Sequence, residues 1–133
     1  MTLPLLALFI ATFCIATTEL AVVGLISEIA RDLAVSIPKA GLLVSGYALG
    51  VAVGGPVFTI ATASLSRKVA LLFRMGVFVV GHALAAVAPN YAVLMIARVV
   101  AATSHASFLG IAAVVAAASV PADRSARAVS MVC

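Results

Sequence analysis

The sequence predicts an all-α fold, a polytopic membrane helix bundle with four transmembrane helices and the start of a fifth. The 133 residues are 65% hydrophobic and only 9% charged, whereas soluble domains are about 45–50% apolar and about 25% charged. A chain of this length has too little interior to bury such an excess, so lipid must cover it. The apolar residues also fall into runs of about 20, the length that a helix needs to cross a bilayer.

Proline and polar residues divide the chain into four such runs, over residues 3–26, 40–63, 69–88 and 91–118. The first run is long and no basic residue precedes it, which distinguishes it from a signal peptide. After the fourth run, SVPADRSAR indicates a polar loop with a proline breaker, and a fifth span begins within about 126–133. Each run should be a helix packed in a bundle, because lipid-exposed irregular backbone is not tolerated.

The positions of the basic residues predict the orientation. Five lie in or beside the second and fourth loops (Arg67, Lys68, Arg74, Arg124 and Arg127), against two at the first loop (Arg31 and Lys39). Loops rich in Lys and Arg stay in the cytoplasm. The sequence therefore predicts a multi-pass protein of the plasma membrane with a cytoplasmic amino terminus.

Two charged residues lie inside the predicted spans, Glu19 in the first and Arg98 in the fourth. Glu19 comes seven residues before Ile26 and Arg98 seven residues after Tyr91, so both lie on the order of 10 Å below the outer face. Unpaired charges at this depth are costly. We therefore expect Glu19 and Arg98 to face each other across a hydrated cavity, with Glu19 as the candidate proton carrier. A static ion pair that only fixes packing is the alternative.

A polar stripe follows one face of the fourth span. Tyr91, Arg98 and His105 are spaced by seven residues, which keeps them on one helical face. Thr12 and Glu19 share a face of the first span in the same way. These five side chains are predicted to line the cavity. The alternative for His105 is a simple hydrogen bond to a neighbouring helix, the role that we also expect for His82.

The second span carries glycines at intervals of four, Gly46, Gly50 and Gly54, followed by Pro56. Such a small-residue face lets another helix approach closely. Proline removes a backbone donor and predicts a kink. The pattern fits either a helix that rocks against its neighbour or a static packing contact.

Two segments, TTELAVVGLISEIARDLAVSIPKAGLLVSGYALGVAVGGP and ARVVAATSHASFLGIAA, resemble Major Facilitator Superfamily transporters of the drug:proton antiporter type, such as chloramphenicol-resistance and arabinose-efflux-like permeases. The resemblance covers about residues 5–132. It implies twelve helices in two halves, alternating access, and a cavity lined by the first and fourth helices. Residues 1–133 would then be part of the amino-terminal half, with the remaining helices of the complete transporter as partners.

The resemblance also bears on single residues. Arg98 matches the family's fourth-helix arginine, and Glu19 lies where membrane-embedded acids occur in such exporters. The family's loop between helices two and three usually reads G-x-x-x-D-x-x-G-R-K/R, and TIATASLSRK keeps only Arg67 and Lys68 of it. Because the aspartate is missing, the resemblance does not extend to the usual charge relay of that loop.

These observations predict a fragment of a proton-coupled efflux transporter that exports a small organic compound, a drug, an antibiotic or a sugar. Its partners are that substrate, protons and the bilayer. No enzyme activity, cofactor, metal site or nucleic-acid partner is expected, and Cys14 and Cys133 form no disulfide framework. Two alternatives stay open. One is a self-contained four-helix exporter that works as a dimer, like the small multidrug resistance family; the other is a non-transporting membrane subunit.

Overall fold

The computed structural model describes residues 3–132, which form four long helices joined by short turns. The long helices are Leu3–Gly24, Ile37–Ala61, Arg67–Ala86 and Tyr91–Ala118, and each is long and apolar enough to cross a membrane. We call them the first to fourth spanning helices. Three shorter helices are Ile26–Asp32, the 3₁₀ turn Ala122–Arg124 and the terminal helix Ser125–Val132. The predicted all-α bundle of four spans and the start of a fifth is confirmed; Cys133 lies outside the described residues.

Capping residues decide where two of the spanning helices begin. The Ser36 side chain accepts a hydrogen bond from the Lys39 backbone N–H at 3.3 Å, so the second helix begins at Ile37, before the predicted residue 40. The Asn90 side chain accepts from the Val93 N–H at 3.0 Å, and the fourth helix begins directly after it. Both side chains satisfy a backbone donor that the helix itself leaves unpaired. Both caps lie where the chain enters from a predicted outer loop.

The second spanning helix contains a π-helical turn over Gly50–Gly54. It ends two residues before Pro56, which has no N–H and whose ring conflicts with the carbonyl four residues earlier. A wider turn accommodates this mismatch without ending the helix, and such turns are frequent at functional sites. The kink predicted at this proline therefore takes the form of a π turn in a continuous span.

The fourth spanning helix is the most buried of the four and packs against the other three and the terminal helix. Its buried face consists largely of alanines, among them Ala97, Ala101, Ala102, Ala112 and Ala116. Side chains this small let neighbouring helices approach closely. Large apolar side chains cover the outer surfaces of the bundle instead, as expected for faces that contact lipid or further helices.

Candidate functional site

A cluster of four polar side chains lies between the first, second and fourth spanning helices. It consists of Glu19, Tyr47, Arg98 and His105, and we call it the polar cluster. The Tyr47 hydroxyl oxygen is 3.0 Å from His105 Nδ1, and the same nitrogen is 3.7 Å from Glu19 Oε2. The Arg98 guanidinium carbon lies 4.5 Å from the centre of the Tyr47 ring. The four groups therefore form a continuous row from Glu19 to Arg98.

Arg98 is almost completely buried, with 4% of its surface exposed. Its Nε donates to the Leu43 carbonyl at 3.4 Å, and its planar group rests on the Tyr47 ring. Cation–π contacts of this kind are stronger when they are shielded from water. Within residues 3–132, the basic side chain within 4 Å of the Glu19 carboxylate is His105. Direct pairing of Glu19 with Arg98 is thus replaced by a row in which Tyr47 and His105 stand between them.

The difference in partner has a geometric cause. The helical path does not stop near Ile26 but continues after a turn as Ile26–Asp32, so counting residues back from Ile26 does not give the depth of Glu19. A small cavity of about 70 Å³ is lined by Arg98 together with Val22 and Ile29. Arg98 therefore faces residues that follow Glu19 in the chain, one on the first spanning helix and one on the short helix Ile26–Asp32. Glu19 lies deeper, where His105 approaches it.

His105 also lines a larger cavity of about 300 Å³ between the first, fourth and terminal helices. Phe9 and Phe13 form one wall, with ring centres 6.4 Å apart. Thr12 lines it too, but its hydroxyl donates to the Leu8 and Phe9 carbonyls of its own helix. The cavity is therefore mostly apolar, with the imidazole as its strongest hydrogen-bonding group.

Tyr91 does not belong to the polar cluster. Its hydroxyl donates to the Lys39 carbonyl at 2.8 Å, and the Lys39 ammonium lies 5.1 Å from the ring centre. These contacts join the second and fourth helices at their first turns. The structure thus places Tyr91 at one end of the bundle, about 10 Å along the axis from Arg98.

The three predicted glycines of the second helix all meet the fourth helix. A Cβ added at Gly46 would lie 2.6 Å from Met95 Sδ, at Gly50 2.8 Å from Ala102 Cβ, and at Gly54 2.5 Å from Thr103 Cγ2. At distances under 3.0 Å a neighbouring atom must shift before a methyl group fits, which the flexible Met95 side chain can do more easily than Ala102 or Thr103. Gly55 continues the stripe against Ala106. Pro56 is exposed beside this contact.

Arg67 and Lys68 lie at the opposite end of the bundle from Asn90 and are exposed. They border a groove of about 400 Å³ between the third and fourth helices. Arg74, counted above with the loop cations, is instead 1% exposed. Its Nη2 donates to Thr62 Oγ1, whereas Nε and Nη1 have no hydrogen-bond partner within residues 3–132.

The contacts of His82 and Tyr47 differ from what the sequence predicts. His82 was expected to bond a neighbouring helix, but its Nδ1 is 2.9 Å from the Phe78 carbonyl of its own helix, and its ring packs on that phenylalanine. Tyr47 was not singled out, although it is 2% exposed and central to the polar cluster. A hydroxyl-bearing ring inside the glycine run SGYALG was the available signal.

A sequence profile described as Major Facilitator Superfamily matches residues 8–132. The chain belongs to the Major Facilitator Superfamily. This confirms the predicted resemblance and removes the small multidrug resistance alternative. No solved structure shows a significant match to the chain.

Several curated relatives in this superfamily are similar to the chain. It is 46% identical over 127 residues to the Escherichia coli "Inner membrane transport protein YdhP", covering 96% of this chain and 33% of that protein. It is 46% identical over 127 residues to the Bacillus subtilis "Uncharacterized MFS-type transporter YtbD", covering 96% and 32%. It is 39% identical over 131 residues to a Streptomyces lividans "Chloramphenicol resistance protein", covering 98% and 33%.

The chain thus spans about a third of the length of these superfamily relatives. It is a multi-pass membrane protein of a transporter family, and its polar cluster is built wholly from residues of this third. Chemically the cluster offers one carboxyl, one imidazole and one phenol beside a permanent guanidinium charge. Such groups can bind and release protons. Within residues 3–132, no three His, Cys, Asp or Glu side chains are grouped as metal ligands would be.

Proposed function

We propose that this chain is part of a proton-coupled exporter of small organic compounds that works by alternating access. One observation carries the proposal, the contact of 3.7 Å between Glu19 and His105 inside the bundle. Of the four acidic residues in the chain, Glu19 alone lies within a spanning helix. Ionisable groups at such depth are expensive and mark substrate or proton pathways. Membership in a transporter superfamily supports the same conclusion.

The proton step follows from the surroundings of Glu19. Its side chain is 42% exposed in the described bundle. Water stabilises a carboxylate, whereas an apolar environment favours the neutral acid. When the transporter opens to one side and closes to the other, Glu19 would bind a proton on one side and release it on the other.

The cavity beside His105 indicates the kind of substrate. Its volume of about 300 Å³ is at the lower end for small-molecule sites, which are mostly apolar with a few polar groups. Phe9 and Phe13 offer aromatic faces, and His105 offers a hydrogen bond. We propose an uncharged organic compound with an aromatic ring. The name of the Streptomyces relative suggests chloramphenicol as the first probe.

The contact between the second and fourth helices supports the motion. Four consecutive close approaches at glycines give a smooth surface on which backbones can slide. The π turn over Gly50–Gly54 lies within this surface. Rocking of rigid bundles about a central site is how such transporters alternate access. The exporter would lie in the plasma membrane with its amino terminus in the cytoplasm, as the basic loops predict.

Transport by inverted membrane vesicles tests the proposal. Vesicles that contain the complete transporter are given an acidic lumen, and uptake of labelled chloramphenicol is measured with and without an agent that dissipates the gradient. We expect gradient-dependent uptake that Glu19→Gln reduces to the level of vesicles without the transporter. Glu28→Gln, the same change in the short helix between the first two spans, should leave uptake intact.

Uptake that ignores the gradient would contradict proton coupling. No uptake of any compound from a panel of aromatic antibiotics would contradict export, and it would favour the reading of a non-transporting membrane subunit. In that case an exposed apolar face should hold a partner helix, because the fourth helix already covers the glycine face, and crosslinking from the outer surface of the second helix would detect that partner. The two outcomes therefore separate coupling from transport itself.

A further inference from the structure

One nitrogen of the polar cluster has two partners. His105 Nδ1 lies 3.0 Å from the Tyr47 hydroxyl and 3.7 Å from a Glu19 carboxyl oxygen. A ring nitrogen carries either a proton, and donates, or a lone pair, and accepts. It cannot accept from Tyr47 and donate to Glu19 at the same time. The geometry therefore allows two distinct arrangements of protons over the same three residues.

In the first arrangement, Nδ1 is unprotonated and accepts the hydrogen bond from Tyr47. A carboxylate facing the same lone pair would be repelled, so Glu19 is then a neutral acid. In the second, Nδ1 carries a proton and donates it to the Glu19 carboxylate, and the Tyr47 hydroxyl no longer donates to this nitrogen. To pass between them, the Glu19 O–H bond breaks and the Nδ1–H bond forms. The total charge is unchanged and no electrons are transferred.

The distance from Glu19 to His105 is compatible with this exchange. At 3.7 Å it is longer than a hydrogen bond. Hydrogen bonds between functional groups are often long in the absence of ligand, however, and shorten when ligand binds. His105 is held in place, with only 12% of its side chain exposed, whereas Glu19 is 42% exposed. A rotation of the more exposed side chain, or one bridging water, would close the gap.

The side chains that face His105 determine which charges can affect its protonation. From the first helix it faces Glu19, and from the second helix it faces Tyr47. On its own helix, Arg98 lies on the Tyr47 ring. From the terminal helix, Ser130 lines the same cavity and carries no charge. Glu19, Tyr47 and Arg98 are thus the charged or titratable groups to consider.

We propose that Glu19 and His105 share one transferable proton, and that the Tyr47 hydroxyl positions the imidazole according to where that proton lies. The proposal rests on the proton coupling proposed above and assigns its second proton-binding group. Because the imidazole also lines the cavity beside Phe9 and Phe13, a bound compound would contact His105 directly. Glu19 would respond to the compound through the shared proton.

The test follows the protonation of each partner without any substrate. The complete transporter in lipid nanodiscs is titrated with acid, and the infrared carboxyl band of Glu19 is assigned by its loss in Glu19→Gln. Groups that share a proton titrate as a pair, and each changes the other's midpoint by about one pH unit or more. We expect His105→Gln to move the Glu19 midpoint by that amount. His82→Gln, the same change at the other histidine, should leave the curve unchanged.

A reciprocal measurement covers the case in which His105→Gln does not fold. Nitrogen-15 NMR of labelled histidine follows His105 in the wild type and in Glu19→Gln, with Glu28→Gln as the control. If the two groups are coupled, the titration midpoint of His105 moves in Glu19→Gln but not in Glu28→Gln. Tyr47→Phe should also change the chemical shifts of the His105 ring nitrogens. Independent titration of the two residues would overturn the shared proton. Independent titration together with gradient-driven uptake would overturn the shared proton and leave the proposed function intact. Coupled titration together with gradient-independent uptake would overturn only the proposed function.

Discussion

The Tyr47 hydroxyl lies 3.0 Å from His105 Nδ1, although the two residues are 58 positions apart in the chain. This contact joins the second and fourth spanning helices in the interior of the bundle. A second tyrosine, Tyr91, joins the same helices at their first turns by donating to the Lys39 carbonyl. The two tyrosines thus make one hydrogen bond each between the same helices, but only Tyr47 contacts the polar cluster.

Removing each hydroxyl separates a structural role from a functional one. We expect Tyr47→Phe and Tyr91→Phe each to lower the free energy of unfolding by about 1 kcal/mol, the usual net value of one hydrogen bond. Only Tyr47→Phe should change the pH dependence of uptake, because only it alters the surroundings of His105. Thermal unfolding in detergent and uptake across a pH series measure the two effects. Identical pH profiles for wild type and Tyr47→Phe would contradict this prediction.

Gly50 tests the close contact between the second and fourth helices. An added methyl group would lie 2.8 Å from Ala102 Cβ and 3.3 Å from the Val99 carbonyl oxygen. Overpacking of this kind costs about 1–3 kcal/mol, so Gly50→Ala should lower the melting temperature. Gly76, in the third helix, has nothing within 4 Å of the added carbon. Gly76→Ala should leave stability unchanged or raise it by up to about 1 kcal/mol. Equal effects at both positions would argue against a close contact.

The buried Arg74 gives a prediction about stability rather than transport. Two of its nitrogens lack partners within residues 3–132, and a buried charge without full compensation is costly. Arg74→Met should therefore be as stable as the wild type or more stable. Thr62 keeps its own hydrogen bond to the Phe58 carbonyl in that variant.

Thr62→Val and Arg74→Met together form a double-mutant cycle. It removes the acceptor of Arg74 Nη2, so it should destabilise the wild type by about 1–3 kcal/mol and the Arg74→Met variant by less. Melting temperatures of the four proteins give the coupling. Strong destabilisation by Arg74→Met would instead mean that the guanidinium has a partner outside the described residues.

Cysteine labelling tests the orientation. In a cysteine-free background of the complete transporter, Pro89→Cys places a thiol in the third loop and Ser64→Cys places one in the second. A membrane-impermeant maleimide should label Pro89→Cys in intact cells, and Ser64→Cys in inverted vesicles only, because basic loops remain in the cytoplasm. The reverse pattern would place the amino terminus outside and contradict the predicted orientation.

Much of the fold follows from local patterns in the sequence. Runs of apolar residues predict four spans because backbone in lipid must satisfy its own hydrogen bonds. The fourth helix begins at Tyr91 as predicted, whereas the second begins at Ile37, three residues before the predicted start. The glycine spacing predicted a close helix contact, and the structure identifies the fourth helix as the partner. These features depend on neighbours in the chain or on the period of one helix.

The partner of Glu19 could not be obtained in this way. Assigning depths by counting from the ends of two runs assumes straight helices that end at one level. The first run instead continues as Ile26–Asp32, and Arg98 lies opposite Val22 and Ile29. The burial of Arg74 was missed for a related reason, because its position near a loop gave no sign that its guanidinium would contact Thr62 and Phe58.

The sequence by itself determined that this chain crosses a membrane four times, that one acid and one arginine lie in its first and fourth spans, and that it belongs with major facilitator transporters. Only the tertiary structure decided that His105 meets Glu19 and that Tyr47 stands between His105 and Arg98. Spans follow from the cost of exposing polar backbone to lipid, which each segment meets alone. Contacts between spans depend on how helices end, tilt and pack, and no single segment contains that information.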